Sequence, residues 1–329
     1  FSNFSVMARG QAEPPMTTRL RCGSILPVFS RYCSSISHTV GTAAVKLTFS
    51  VSSSSQIASP SMRPPGITIV AGSDLPYHFL YGALPNYALV AIDQELSYKP
   101  SGYDRTDSYL KGEWDGRVQL FKQSKSGRSW YFPSGLLSKV TGVLDIFGVT
   151  YTVQKTPDQD YDPQGFEWVS PLSLRNYQVD AVKAIFDAKG GVVSLPTGGG
   201  KTLVALRLIQ MFDRPTIILV HTKELLYQWK DEIKKHIGVD AGLVGDGIRE
   251  WKVVTVAMLQ TLGAMIRSGD LQRLEFGMLL IDETHRISAD VAYSIAMRCT
   301  ARIRVGVSAT PRRTDNKDLK IFAATGPMA

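Results

Sequence analysis

The sequence predicts an α/β fold: a parallel sheet with helices on both faces, preceded by a small α+β module and an unfolded tail. Three observations predict it. After Leu172, short apolar runs alternate with helical stretches. One of those runs enters a glycine-rich turn, Ser194 to Thr202, that opens a helix. Before Leu172 the strands are shorter, aromatic and interrupted by turn residues.

The first 60 or so residues are Ser- and Arg-rich, with the run "SVSSSSQIASPSMRPPG" and no sustained period of 2 or 3.6. Residues 1–75 are therefore expected to be a disordered or non-native tail. Their composition, basic, Ser-rich and poor in acids, fits an organelle transit peptide. Translated sequence upstream of a start at Met62 is the competing explanation. Much of the net charge of +8 sits in this stretch, and bulk charge after it is nearly balanced, so a polyanion partner would need a local basic patch.

Residues 86–156 form the expected small α+β module. "YALVAI" reads as a strand, and "GRVQLFKQSKSGRSWYFP" as two strands around a turn at Lys125, Ser126 and Gly127. "SGLLSKVTGVLDIFG" has helical spacing closed by Gly148, and "VTYTVQK" returns as a strand. A Pro- and Asp-rich linker over 157–171 follows. From 172 to 329, strands that are apolar on both faces and separated by helices require a parallel sheet with right-handed crossovers. Ligands bind such sheets at the carboxyl ends of strands.

In "GGVVSLPTGGGKT", Pro196, Thr197, Gly198, Gly199 and Gly200 can turn backbone N–H groups around a phosphate at a helix N-terminus. Lys201 reaches the β and γ phosphates of ATP, and the Thr202 hydroxyl suits Mg2+. "MLLIDETH" ends a strand in Asp282, suited to hold the metal, and Glu283, suited to orient or deprotonate the attacking water. Taken alone, an acid pair after a strand is usually a helix cap; about 80 residues downstream of a phosphate loop it gains meaning. Ser308 and Thr310 in "VGVSATPRR" suit bonds to His285 or Asp282 that would report the γ-phosphate state, although SAT taken alone is more often a turn than a switch.

The ordered set "LRNYQVDAV", "LPTGGGKT", "ILVHTKELLYQW", "VTVAMLQTL", "LIDETH" and "GVSATP" resembles the first RecA-like domain of superfamily 2 helicases and translocases, of the DEAD/DEAH-like, restriction-enzyme res-subunit type. The resemblance covers about residues 172 to 315. Leu195 fits it, because that superfamily commonly lacks glycine there. Asp282, Glu283 and His285 match its D-E-x-H box. The resemblance implies that Gln178, with Arg175, reads adenine, a role its amide suits, although a solvent-facing polar residue would look the same. It implies that Thr222, Gln228 and Thr261 contact phosphates of the tracked strand, and it leaves Trp229 as core or contact and Arg312 and Arg313 undecided.

"LKGEWDGRVQLF" followed by "FPSGLLSKVTGVLDIFGVTY" is similar to the N-terminal module of UvsW-type phage helicases, which remodel branched DNA. Lys111, Arg117 and Lys122, with Lys125, Arg128, Trp130 and Tyr131, then make a candidate surface for duplex backbone. Equally, Trp114 and Tyr131 are core and the lysines a solvated hairpin edge. Seven acids against nine basic residues between Tyr87 and Lys155 favour neither.

The resemblance implies an ATP-dependent DNA helicase or translocase with ATP and Mg2+ as cofactors and branched, duplex or single-stranded DNA as partner. It implies a monomer and a second RecA-like domain outside this chain. A restriction-system motor and a non-motor ATP- and DNA-binding fragment are the alternatives. The three cysteines have neither metal-ligand nor disulfide-framework spacing, and no apolar run nears the ~20 residues of a membrane span. The expected place is the cytoplasm of a bacterium or phage-infected host, with organellar import as the alternative.

Overall fold

The structure is a computed structural model that describes residues 66–72, 76–154, 161–169, 173–282, 289–309 and 318–328. All of these belong to one compact unit, Met62–Ala329.

The small module comprises β1 (Ile67–Ala71), β2 (Tyr77–Tyr81), α1 (Asn86–Glu95), β3 (Ser97–Tyr98), α2 (Asp107–Leu110), β4 (Val118–Gln119), β5 (Lys122–Gln123), β6 (Ser129–Pro133), α3 (Leu137–Ile146) and β7 (Tyr151–Gln154). Its main sheet has the order β5-β6-β2-β1-β7, with β1 and β7 parallel and the other pairs antiparallel. β5 and β6 form the expected hairpin, and Gly127 takes the positive φ of its turn.

Two expectations fail here. The module begins at β1, inside the stretch assigned to the tail, because Ile67 and Ile69 alternate inward between β2 and β7. "YALVAI" is helix α1: Ala88, Ala91 and Ile92 are buried at helical spacing, and Pro85 sets its N-cap. An apolar run this short carries both periods, and packing against α3 selects the helix.

The larger region runs α4 (Asn176–Ala188), β8 (Gly190–Ser194), α5 (Lys201–Phe212), β9 (Thr216–Val220), α6 (Lys223–Ile237), β10 (Gly242–Gly245), β11 (Ile248–Arg249), β12 (Val254–Met258), α7 (Leu259–Ser268), β13 (Met278–Asp282), α8 (Ala289–Ala296), β14 (Ile303–Ser308) and α9 (Asp318–Thr325). Its sheet has the order β11-β10-β12-β9-β13-β14-β8, parallel except where β11 turns back on β10. Residues alternate between two cores: Ile218, Val220, Met278 and Leu280 face one, Ile217, Leu219, Leu279 and Ile281 the other. This is why these strands read as unbroken apolar runs.

Part of the expected linker packs onto this region. Phe166 is buried in the first core, its N–H and that of Gly165 donate to the Asp213 carboxylate, and the Tyr161 hydroxyl donates to the Phe276 carbonyl.

The module rests on α8 and α9. At Gly135, in the turn before α3, a Cβ would lie 2.0 Å from the Phe322 carbonyl oxygen, so only glycine allows this approach. A hydrogen bond joins Tyr77 to Tyr293, and Lys320 pairs with Asp290. Behind this contact Arg304, 2% exposed, donates to the carbonyls of Ala296, Cys299, Ala301 and Ala324. Two of these lie in the last turns of α8 and α9, where helix dipoles favour a cation.

Candidate nucleotide site

The parallel strands deliver the candidate residues to one edge of the sheet. β14 pairs with both β8 and β13, placing Asp282 opposite Val307 and Ser194 opposite Ser308. The Leu195 N–H donates to the Ser308 carbonyl at 3.1 Å, so the start of the phosphate loop is tied to the first residue of the SAT segment. Leu195 is 8% exposed and packs in the core beneath the loop, which explains an apolar residue at that position.

Two glycines of the loop, Gly198 and Gly200, have positive φ, and Gly200 is the N-cap of α5. A Cβ on Gly200 would lie 2.2 Å from Nε2 of Gln178. The loop therefore closes directly against α4, which explains glycine at both backbone and packing levels.

Lys201 and Thr202, the first two residues of α5, share a cleft of about 160 Å³ with Asp282, Leu225, Gln228 and Trp229. Pro196 and Thr197 are exposed on the loop beside it, and Gly199 is buried. Glu283, His285 and Thr310 lie outside the described residues, as do Arg312 and Arg313.

The Gln178 side chain is 3% exposed; Oε1 accepts from the Arg175 N–H at 2.8 Å and Nε2 donates to the Gly199 carbonyl at 2.9 Å. The Tyr177 hydroxyl also donates to the Gly199 carbonyl at 3.2 Å, and Arg175 donates to the Tyr177 hydroxyl. The amide thus caps α4 and braces the loop.

The strand-contact candidates separate. Thr222 caps α6, its hydroxyl accepting the Leu225 N–H. Thr261 lies half-buried in the first turn of α7, also at the carboxyl edge of the sheet. Gln228 lines the cleft beside Lys201 and Thr202, because Leu225, Gln228 and Trp229 fall on one face of α6.

In the small module, Lys111 and Lys122 are exposed, the latter on the edge strand β5. Arg117 donates to the Ser97 hydroxyl and lies 3.7 Å from the Asp93 carboxylate, so its charge is already paired. Trp130 stacks on Phe121 with centroids 4.8 Å apart, and Tyr131 packs edge-on to Tyr77 at 5.6 Å. The aromatic residues thus serve packing, and the candidate DNA surface keeps only its lysines and Arg128 exposed.

Sequence reasoning left Trp229 open. It is 2% exposed and donates its indole N–H to Oδ2 of Asp282 at 2.8 Å, within the cleft. An amphipathic spacing marks it as inward-facing, but its polar contact crosses from helix to strand and leaves no local signal.

The family of the type III restriction enzyme res subunit matches residues 171–313. A DNA 3'-5' translocase XPB2 of Sulfurisphaera tokodaii is 36% identical over 157 residues, 48% of this chain and 35% of that protein. A DNA 3'-5' helicase XPB of Kineococcus radiotolerans is 34% identical over 47% of this chain and 29% of its own length. The chain thus spans well under half the length of these relatives. The UvsW helicase of bacteriophage T4 superposes with a TM-score of 0.64 at 19% identity, over 80% of this chain and 99% of that crystallised chain. The α/β fold of the described residues, small module and larger region together, is therefore one already seen in that crystallised chain.

Proposed function

We propose that this chain is the ATP-binding part of a superfamily 2 DNA helicase or translocase, which couples ATP hydrolysis to unwinding or branch migration. The observation that carries the reading is the cleft in which Lys201 and Thr202 at one strand end meet Asp282 at another. The relatives named as DNA 3'-5' helicases and translocases support it.

In this reading the loop N–H groups and the Lys201 ammonium bind the β and γ phosphates of ATP, and the braced Gly199 holds the loop in a fixed curve. The Thr202 hydroxyl and the Asp282 carboxylate, both hard oxygen donors in one cleft, fit Mg2+ and would hold it there. When bound, the ion supplies neutralising charge between the phosphates. Glu283 orients the attacking water. Ser308, tied through its carbonyl to the loop, relays the nucleotide state with Thr310. Thr222 and Thr261 meet the tracked strand, Lys111 and Lys122 the duplex, and a second RecA-like domain completes the cleft. The working unit is a monomer.

The match to the restriction res subunit favours a restriction-system motor as the second reading. Strand displacement on a forked DNA decides between them. The natural protein carrying this chain should separate or migrate the fork with ATP and without cutting it, and Lys201→Ala should stop it. Displacement by Lys201→Ala at the wild-type rate would sink the reading, and cleavage of the DNA would select the restriction motor.

A further inference from the structure

We propose that Trp229 is a positioning residue for the metal-holding carboxylate, and that it ties the capped start of α6 to the nucleotide cleft; this rests on the function proposed above. The indole N–H donates to Oδ2 of Asp282 at 2.8 Å, between groups that are 2% and 7% exposed. A core position on α6 needs only an apolar side chain. A buried indole N–H aimed at a carboxylate adds a charge-assisted hydrogen bond that fixes the carboxylate against rotation. Partners of this kind orient metal ligands and set metal affinity, although they never touch the ion.

The same helix carries Thr222 as its N-cap, roughly two turns before Trp229 on a segment stiffened by its own backbone bonds. Asp246 pins that end by accepting from Tyr227 and pairing with Lys223. A shift at the capped end, where a nucleic-acid strand would press, moves the indole and with it the carboxylate. The contact is thus a route from strand to metal that requires no movement of the phosphate loop.

The test is equilibrium dialysis of ADP against the 329-residue chain, with saturating Mg2+ and with excess EDTA. Trp229→Phe keeps the ring and removes the N–H. Any loss of ADP affinity in EDTA should be small beside a roughly tenfold fall in the gain in affinity from Mg2+. An undiminished gain, or an equal loss with and without Mg2+, overturns the proposal, the latter because it marks packing damage alone. If Trp229→Phe does not fold, the wild-type chain answers through its five indole N–H resonances. One of them should move when Mg2+ joins bound ADP and stay still in Asp282→Asn, and no movement in the wild type overturns the idea. Lys201→Ala separates this from the broader reading: unchanged ADP binding by that variant faults the nucleotide site itself, not the role of Trp229.

Discussion

The two larger sheets among the described residues handle polar groups in opposite ways. In the larger one, parallel strands bury both faces and release chemistry only at their carboxyl ends, where Lys201, Thr202 and Asp282 converge. In the smaller one, short and mostly antiparallel strands carry their polar and aromatic groups along their length, and packing uses several of them: Trp130 on Phe121, Tyr131 and Tyr77 on each other, Tyr77 on Tyr293. A sheet covered on both sides concentrates function at its rim, whereas a thin sheet spends its side chains on being held in place.

The largest effect expected from the smaller sheet is acid sensitivity. His78 on β2 stacks on Phe132, its Nδ1 is buried without a hydrogen-bond partner among the described residues, and burial together with the nearby Arg302 lowers its pKa from 6.5 to about 4. Folded His78 therefore refuses a proton that the unfolded chain accepts below about pH 6.5. Stability is intact above that pH and declines as pH falls from 6.5 toward 4, by an amount on the order of 3 kcal/mol. Urea titrations across this window should show the decline, and His78→Phe should remove much of it. A wild-type profile flat from pH 7 to about 4 would mean that the site is open to water.

A smaller effect separates the charges that packing has consumed from those it has left free. If the exposed edge strand meets duplex backbone, Lys122→Ala should lower the salt dependence of DNA binding by about one unit of log slope. Arg117→Ala should leave that slope unchanged, because its guanidinium already faces Asp93. Fluorescence anisotropy over a range of salt measures both, and a larger loss from Arg117→Ala would reverse the assignment.

The same contrast decided how much was legible in the sequence. Strand ends of the large sheet were readable, since unbroken apolar runs locate strands and the residues after them are few: Lys201, Thr202 and Asp282 fell where expected. Where a residue faces was not readable. Gln178 turns inward to brace Gly199, Gln228 turns toward the cleft, and Arg304 hides inside "RIRVGVS", caged by carbonyls 3 to 20 residues away. Each depends on contacts between elements, which periodicity does not encode. In the small module β1 and α1 were missed for a related reason: five or six residues carry too few repeats to choose a period, and neighbours choose it for them.

The central claim is that the cleft at the rim of the large sheet drives a DNA motor. The most direct measurement is ATP hydrolysis by the natural protein carrying this chain, followed with and without duplex DNA, beside its Lys201→Ala variant. The account predicts turnover that rises with DNA and falls by about a hundredfold or more in the variant. Turnover that ignores both DNA and the loss of Lys201 would contradict it.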